Sequence, residues 1–235
     1  MKEWRGNKNS VQAQLGIKSN YTTEDREQDD FYATDPKALE LLLDHCSTFL
    51  NVILESCKKY SFFGPTLYID GHISLFNIIW ECAVGNGNLY NLLKEREYCV
   101  IGSDIKDRGF ENYKDLLNKD FLEQTQEFTR KYDVAVILTN PPYSLANEFI
   151  THALDILPEN GLYIAFMNLT YLAGQKRYLD IYRYGHLREV YVFPKRMDVY
   201  KNNVPGKVRA GMVNYAWFVF QKGYVGNCSL YWLYE

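Results

Sequence analysis

The sequence predicts a doubly wound α/β fold, mostly parallel with an antiparallel hairpin at one edge of the sheet, and three observations lead there. Four short apolar runs recur at helix-length intervals: Asn77-Ile78-Ile79-Trp80, Tyr98-Cys99-Val100-Ile101-Gly102, Asp133-Val134-Ala135-Val136-Ile137-Leu138 and Gly161-Leu162-Tyr163-Ile164-Ala165-Phe166. Each is apolar on both faces, as a parallel sheet covered by helices on both sides requires. Two later runs, Val190-Tyr191-Val192-Phe193 and Tyr215-Ala216-Trp217-Phe218-Val219-Phe220, are separated by a polar loop bearing Pro and Gly instead of a helix. That spacing predicts an antiparallel pair at the sheet edge.

The 235 residues, 47% hydrophobic, suit one large domain over residues 31–235. Residues 1–30, rich in Asn, Gln, Lys, Asp and Glu, read as a polar arm that is mobile or ordered by a partner. Asp35-Pro36 places an N-cap before a proline at the first helical position, and Leu39, Leu42, Leu43, Cys46 and Leu50 then recur at helical spacing, predicting one amphipathic helix.

No apolar stretch reaches the roughly 18 residues of a membrane span, and the polar start lacks the apolar core of a signal peptide. A soluble cytoplasmic protein is expected. The five cysteines never form a Cys-x-x-Cys pair, and none of the four histidines lies at ligand spacing from another histidine or a cysteine. They predict no metal, with the cysteines serving as small buried hydrophobes.

A net charge of −3 argues against a non-specific nucleic-acid coat. The charge is unevenly spread: residues 171–211 hold nine basic side chains against three acidic ones. This basic end fits either a nucleic-acid surface or a solvated helix face followed by a loop.

Three elements carry chemistry. Residues 81–89, Glu81-Cys82-Ala83-Val84-Gly85-Asn86-Gly87-Asn88-Leu89, follow the first strand and enter a helix. Gly85 and Gly87 allow a tight turn and close backbone approach to a ligand, although Gly-x-Gly also occurs in ordinary turns. Asp104 ends the next strand, where a carboxylate can accept two ribose hydroxyls or simply cap a turn. Asn140-Pro141-Pro142-Tyr143 leaves the third strand at the sheet edge where open α/β folds bind ligands. Two prolines remove two N–H donors, so the surface offers acceptors only, the Asn140 side-chain oxygen and the Pro141 carbonyl. Such acceptors hold both N–H bonds of a planar amine and stabilise the charge that grows on its nitrogen. Tyr143 adds a flat face on which a base stacks.

The Asn-Pro-Pro-Tyr tetrapeptide at 140–143 resembles the catalytic motif of small phage-type DNA N6-adenine methyltransferases, and residues 81–89 resemble their S-adenosyl-L-methionine loop. The resemblance implies a Rossmann-like methyltransferase sheet and direct methyl transfer to N6 of a flipped-out adenine by Asn140, Pro141, Pro142 and Tyr143. It further implies a cofactor held by Tyr32 and Thr34 of Phe31-Tyr32-Ala33-Thr34-Asp35-Pro36, by Glu81, Ala83, Gly85, Gly87 and Asn88, by Asp104 and Ile105, by Asp120-Phe121, and by Asn140. Cys82 stands where the family often has proline, and no insertion large enough for a separate target-recognition domain is present. A bacterial or phage origin is implied.

The 194–214 connection, about twenty residues long, is assigned to DNA because it carries Lys195, Arg196, Lys207 and Arg209, and connections of that length are usually functional or disordered. Other planar amines fit the same tetrapeptide: RNA adenine, N4 of cytosine, or a protein glutamine. A non-catalytic nucleic-acid-binding module that has kept the fold is the alternative of a different class.

Overall fold

A short strand, β1 (Tyr32–Thr34), runs directly into helix α1 (Pro36–His45). The computed structural model describes residues 32–59, 68–69, 72–73, 77–110, 117–195, 197, 199–201 and 214–234. The polar arm and most of the basic loop therefore lie outside the described residues. The Asp35 carboxylate accepts the Lys37 N–H at 2.9 Å, with Pro36 opening the helix, so the local start signals act as predicted.

The single helix expected over 36–50 is two helices, α1 and α2 (Thr48–Ser56). Ser47 makes the break. Its Oγ accepts the Leu50 N–H at 3.1 Å and donates to the buried Glu189 carboxylate at 2.8 Å, while its own N–H donates to Tyr191 Oη at 3.0 Å. A cap joined to a buried carboxylate outweighs the helical periodicity of the leucines.

The chain continues through the pair β2 (Tyr68–Ile69) and β3 (His72–Ile73), then β4 (Ile78–Glu81), α3 (Asn88–Glu95), β5 (Val100–Asp104) and β6 (Leu117–Asn118). Helix α4 (Gln126–Lys131), β7 (Val134–Thr139), α5 (Ala146–Ile156) and β8 (Leu162–Asn168) follow. The last part holds α6 (Gln175–Asp180), β9 (Leu187–Val192), β10 (Val199–Lys201), β11 (Tyr215–Gln221) and β12 (Ser229–Trp232).

The main sheet has eight strands in the order β12-β9-β11-β8-β7-β4-β5-β6. From β8 to β6 every neighbouring pair is parallel. Strand β11 inserts antiparallel between β8 and β9, which gives the predicted antiparallel pair. That pair is not the outer edge, because β12 adds itself parallel to β9. Its four mostly exposed residues carry no apolar alternation by which a sequence reading could find it.

Both faces of the sheet are covered, as the apolar runs require. Leu39, Leu42, Leu50 and Leu54 from α1 and α2 and Leu93 from α3 pack with Ile79, Val136, Ile164 and Trp217 on one face. Phe149, Ile150 and Ala153 from α5 pack with Trp80, Ile137, Tyr163 and Phe218 on the other. The Trp217 indole N–H donates to the Ala38 carbonyl at 2.9 Å, fastening α1 to the sheet. The fold is the doubly wound, Rossmann-like α/β architecture.

The 194–214 connection is tied down in its middle. Strand β10 pairs antiparallel with β1, Tyr32 opposite Lys201 and Thr34 opposite Val199. Lys195 is exposed beyond β9, while Arg196, Lys207 and Arg209 lie outside the described residues.

Candidate functional site

The adjacent parallel strands β5, β4 and β7 end side by side, with Glu81 in register with Gly102 and Trp80 with Ile137. Their carboxyl ends therefore bring together Asp104, the 81–89 loop, and Thr139 with the tetrapeptide behind it. The chain winds outward from β4 through β5 to β6 and then returns to β7 on the opposite side of β4. Open α/β sheets bind ligands at the crevice such a reversal creates.

The loop is built for close approach. Gly85 and Gly87 have φ of 59° and 93°. A Cβ on Gly87 would stand 2.3 Å from the Phe110 ring, so only glycine fits against that side chain. The Gly85 N–H donates to Asp104 Oδ2 at 2.8 Å, and the Lys106 N–H donates to Oδ1 at 2.9 Å. Arg108 Nε adds an ion pair at 3.6 Å. Of the two roles open to Asp104, ribose acceptor or turn cap, these bonds show the second: its carboxylate shapes the glycine loop across 19 residues of sequence. A carboxylate has about four acceptor sites, so these bonds leave room for further donors.

Glu81 is 1% exposed. Its Oε1 accepts from Thr139 Oγ1 at 2.5 Å and from the Ala83 N–H at 3.2 Å, joining the glycine loop to the strand that carries the tetrapeptide. Its Oε2 is buried with no hydrogen-bond partner, and so is Thr34 Oγ1. Asn88 Nδ2 donates to the Thr34 carbonyl at 2.7 Å, so β1 is held against the loop. Each orphaned buried oxygen costs about 1 to 3 kcal/mol, a cost that a ligand supplying the missing partner would relieve.

Burial pushes the Glu81 carboxyl up to about 8, against the lowering effect of the Thr139 and Ala83 bonds. The folded protein therefore binds a proton that the unfolded chain, near 4.5, releases. Stability from the neutral carboxyl is fully present below about 4.5 and is lost as pH rises through about 8. Denaturant titrations across this window should show stability falling with pH in the ligand-free wild type and a flatter profile in Glu81→Gln. Equal slopes in the two proteins would show that Glu81 titrates normally.

Asn140 is half-buried directly after β7, Pro141 is buried, and Pro142 opens a 3-10 turn, Tyr143–Leu145. The Leu145 N–H occupies the Pro142 carbonyl at 2.9 Å. An aromatic row backs the turn: the Tyr143 ring lies 5.9 Å from Tyr215, which stacks at 5.1 Å on Phe166, itself 5.1 Å from Trp217. Tyr171 Oη donates to the Tyr143 carbonyl at 2.6 Å. The sequence reading passed over Tyr215, Tyr171, Phe110 and Thr139. Thr139 could have been found, since it adjoins the tetrapeptide, whereas the others depend on contacts distant in sequence.

Other predicted residues divide. Ile105 is 55% exposed beside Asp104, offering an apolar surface at the crevice. Asp120 caps its own 3-10 turn, accepting the Leu122 N–H at 2.9 Å. The Phe121 ring is packed into the core between Trp80 at 5.2 Å and Phe149 at 4.6 Å. Cys82 is buried, and burial beside Glu81 raises its thiol well above the usual range, leaving it a neutral hydrophobe. Cys57 shares that character, but Cys228 is exposed, contrary to the expectation of uniformly buried cysteines. Among the described residues, no three His, Cys, Asp or Glu cluster as metal ligands, and no helix is long and apolar enough to cross a membrane.

No known protein family and no curated protein matches the chain by sequence. Solved structures do resemble it in part. A Listeria monocytogenes protein described as a class I S-adenosylmethionine-dependent methyltransferase aligns over 95% of this chain and 79% of its own, with 14% identity and a TM-score of 0.49. A Pyrococcus horikoshii protein described as an RNA methyltransferase aligns over 79% of this chain and 83% of its own, at 12% identity and a TM-score of 0.49. The type IIG restriction endonuclease BpuSI aligns over 64% of this chain, at 16% identity and a TM-score of 0.47; this chain spans 23% of BpuSI's length. These are likenesses of fold.

Proposed function

We propose that the chain is an S-adenosyl-L-methionine-dependent methyltransferase acting on the exocyclic N6 of adenine in DNA, with one catalytic domain over residues 31–235 and a polar arm before it. The observation that carries this reading is the convergence of the glycine loop, Asp104 and Asn140-Pro141-Pro142-Tyr143 on three adjacent strand ends, around the orphaned Glu81 Oε2 and Thr34 Oγ1.

The donor set fits the cofactor. An incoming ammonium group favours the ionised form of Glu81, which with Thr34 then offers it acceptors, Asp104 has capacity left for hydroxyls, and exposed Ile105 offers an apolar face to a purine. When bound, the cofactor supplies a methyl group activated on a sulfonium. Asn140 Oδ1 and the Pro141 carbonyl accept the two N–H bonds of the target amine and fix its lone pair toward the crevice. They favour the positive charge that develops on the nitrogen, so catalysis is positional and electrostatic. Tyr143 stacks on the base once it has left the duplex. Lys195, Arg196, Lys207 and Arg209 supply phosphate contacts in a connection that β10 anchors to β1, beside Thr34.

The test is incubation with methyl-labelled cofactor and, separately, DNA, RNA and protein, followed by nucleoside and amino-acid analysis. Label recovered as N6-methyladenine from DNA is expected. Label confined to RNA, to cytosine N4 or to glutamine would replace the proposed substrate, and absence of cofactor uptake by calorimetry would remove the enzyme.

A further inference from the structure

We propose that the outer face of residues 172–184 is a stacking platform for the DNA strand that flanks the target base, an inference that deepens the preceding reading and rests on it. The segment leaves β8 as a 3-10 turn, Leu169–Leu172, continues as α6, and ends in a second 3-10 turn, Tyr182–Tyr184, against which α6 packs.

Its inner side is stapled to the tetrapeptide. Tyr171 Oη holds the Tyr143 carbonyl at 2.6 Å, and Tyr182 Oη holds the Tyr171 carbonyl at 2.6 Å. Arg177 lies 4.7 Å over the Tyr171 ring and donates to the carbonyls of Thr170, Tyr171 and Ala173. The Arg177 guanidinium is thereby committed to the fold.

The outer side has a different character. Tyr178 is 59% exposed, Tyr184 52% and Leu179 42%, apolar surface that the fold does not bury. Lys176 and Arg183 are exposed among them, with Asp180 the one acid of the segment, and Arg183 sits 4.8 Å over the Tyr184 ring. Exposed aromatic surface grouped in one place marks an interaction site. Exposed cations and exposed rings in one short segment suit a partner with flat faces and a phosphate backbone. Rotating a base out of the duplex leaves its neighbours with an unstacked face. The segment's inner side is fastened to the carbonyl of Tyr143, the residue proposed to stack on the rotated base.

The test uses the full chain with S-adenosyl-L-methionine present and fluorescein-labelled, adenine-containing probes: single-stranded DNA, duplex DNA, and RNA of the same sequence, followed by anisotropy over a salt series. Tyr178→Ala should weaken DNA binding about 5- to 150-fold, the range for loss of one stacked base, while Tyr178→Phe stays within about twofold. The double change Lys176→Gln with Arg183→Gln should lower the salt slope by about two. The control Lys131→Gln, on α4, should leave both affinity and slope unchanged. Cofactor affinity and thermal unfolding should match wild type in every variant. If the wild type binds and methylates DNA while the Tyr178 and double variants keep its affinity and slope, the platform is overturned and the enzyme reading stands. A wild type that takes up cofactor but binds no DNA, or prefers the RNA probe, overturns the DNA assignment and the platform with it.

Discussion

Asn140→Ala is expected to lower methyl transfer to DNA about 10²- to 10³-fold while leaving cofactor affinity within a few-fold. Removing one preorganised partner of a developing charge has this order of effect, because nothing else at the site takes its place during the reaction. On the proposed reading the Pro141 carbonyl shares the amine with Asn140, while the Pro142 carbonyl accepts the Leu145 N–H of the following turn. Tyr143 should divide by substitution: Tyr143→Phe keeps the ring that stacks and retains considerable activity, whereas Tyr143→Ala loses most of it. The alanine change also strips a neighbour from Tyr215, 5.9 Å away, so single-turnover rates are the readout and thermal unfolding the control. Equal inactivity of the two tyrosine variants would assign the work to the hydroxyl. Full activity in Asn140→Ala would remove the tetrapeptide from the chemistry.

Asp104→Ala is expected to weaken the cofactor about 5- to 150-fold and to destabilise the ligand-free protein by about 1 to 3 kcal/mol. The first effect follows from lost acceptors at the crevice. The second follows from the Gly85 and Lys106 N–H groups, which lose their partners when the carboxylate is removed. Calorimetry reads the affinity and denaturant titration the stability. A residue serving only as a ribose acceptor would move affinity without stability, and a residue serving only the loop would do the reverse. Gly85→Val should block cofactor binding outright: it places a β-branched side chain at φ 59° in the loop that must approach the ligand. Wild-type affinity in both variants would place the cofactor elsewhere.

Tyr143 shows how closely local sequence and remote packing share one site. Its place after an apolar strand and two prolines is readable from sequence, whereas its orientation depends on Tyr215 and Tyr171, 72 and 28 positions away. The same division runs through the fold. The strands β4, β5, β7 and β8 were legible because a buried parallel strand must be apolar on both faces, and Asp35-Pro36 starts a helix by chemistry confined to three residues.

The sequence by itself determined the doubly wound sheet, the strand ends from which the glycine loop, Asp104 and the tetrapeptide emerge, and the helix start at Pro36. Those follow from periodicity and turn chemistry, which act over a few neighbouring residues. Only the tertiary structure decided the break at Ser47, where the partner is Glu189, 142 positions away. It also decided the bond from Gly85 to Asp104 that shapes the glycine loop, the burial of Phe121 in the core, the β1–β10 pairing that anchors the basic connection, and the edge strand β12. Each depends on groups that meet only after the chain has folded, and a cap, a carboxylate or an edge strand takes its final role from whichever donor, ring or neighbouring strand the fold delivers to it.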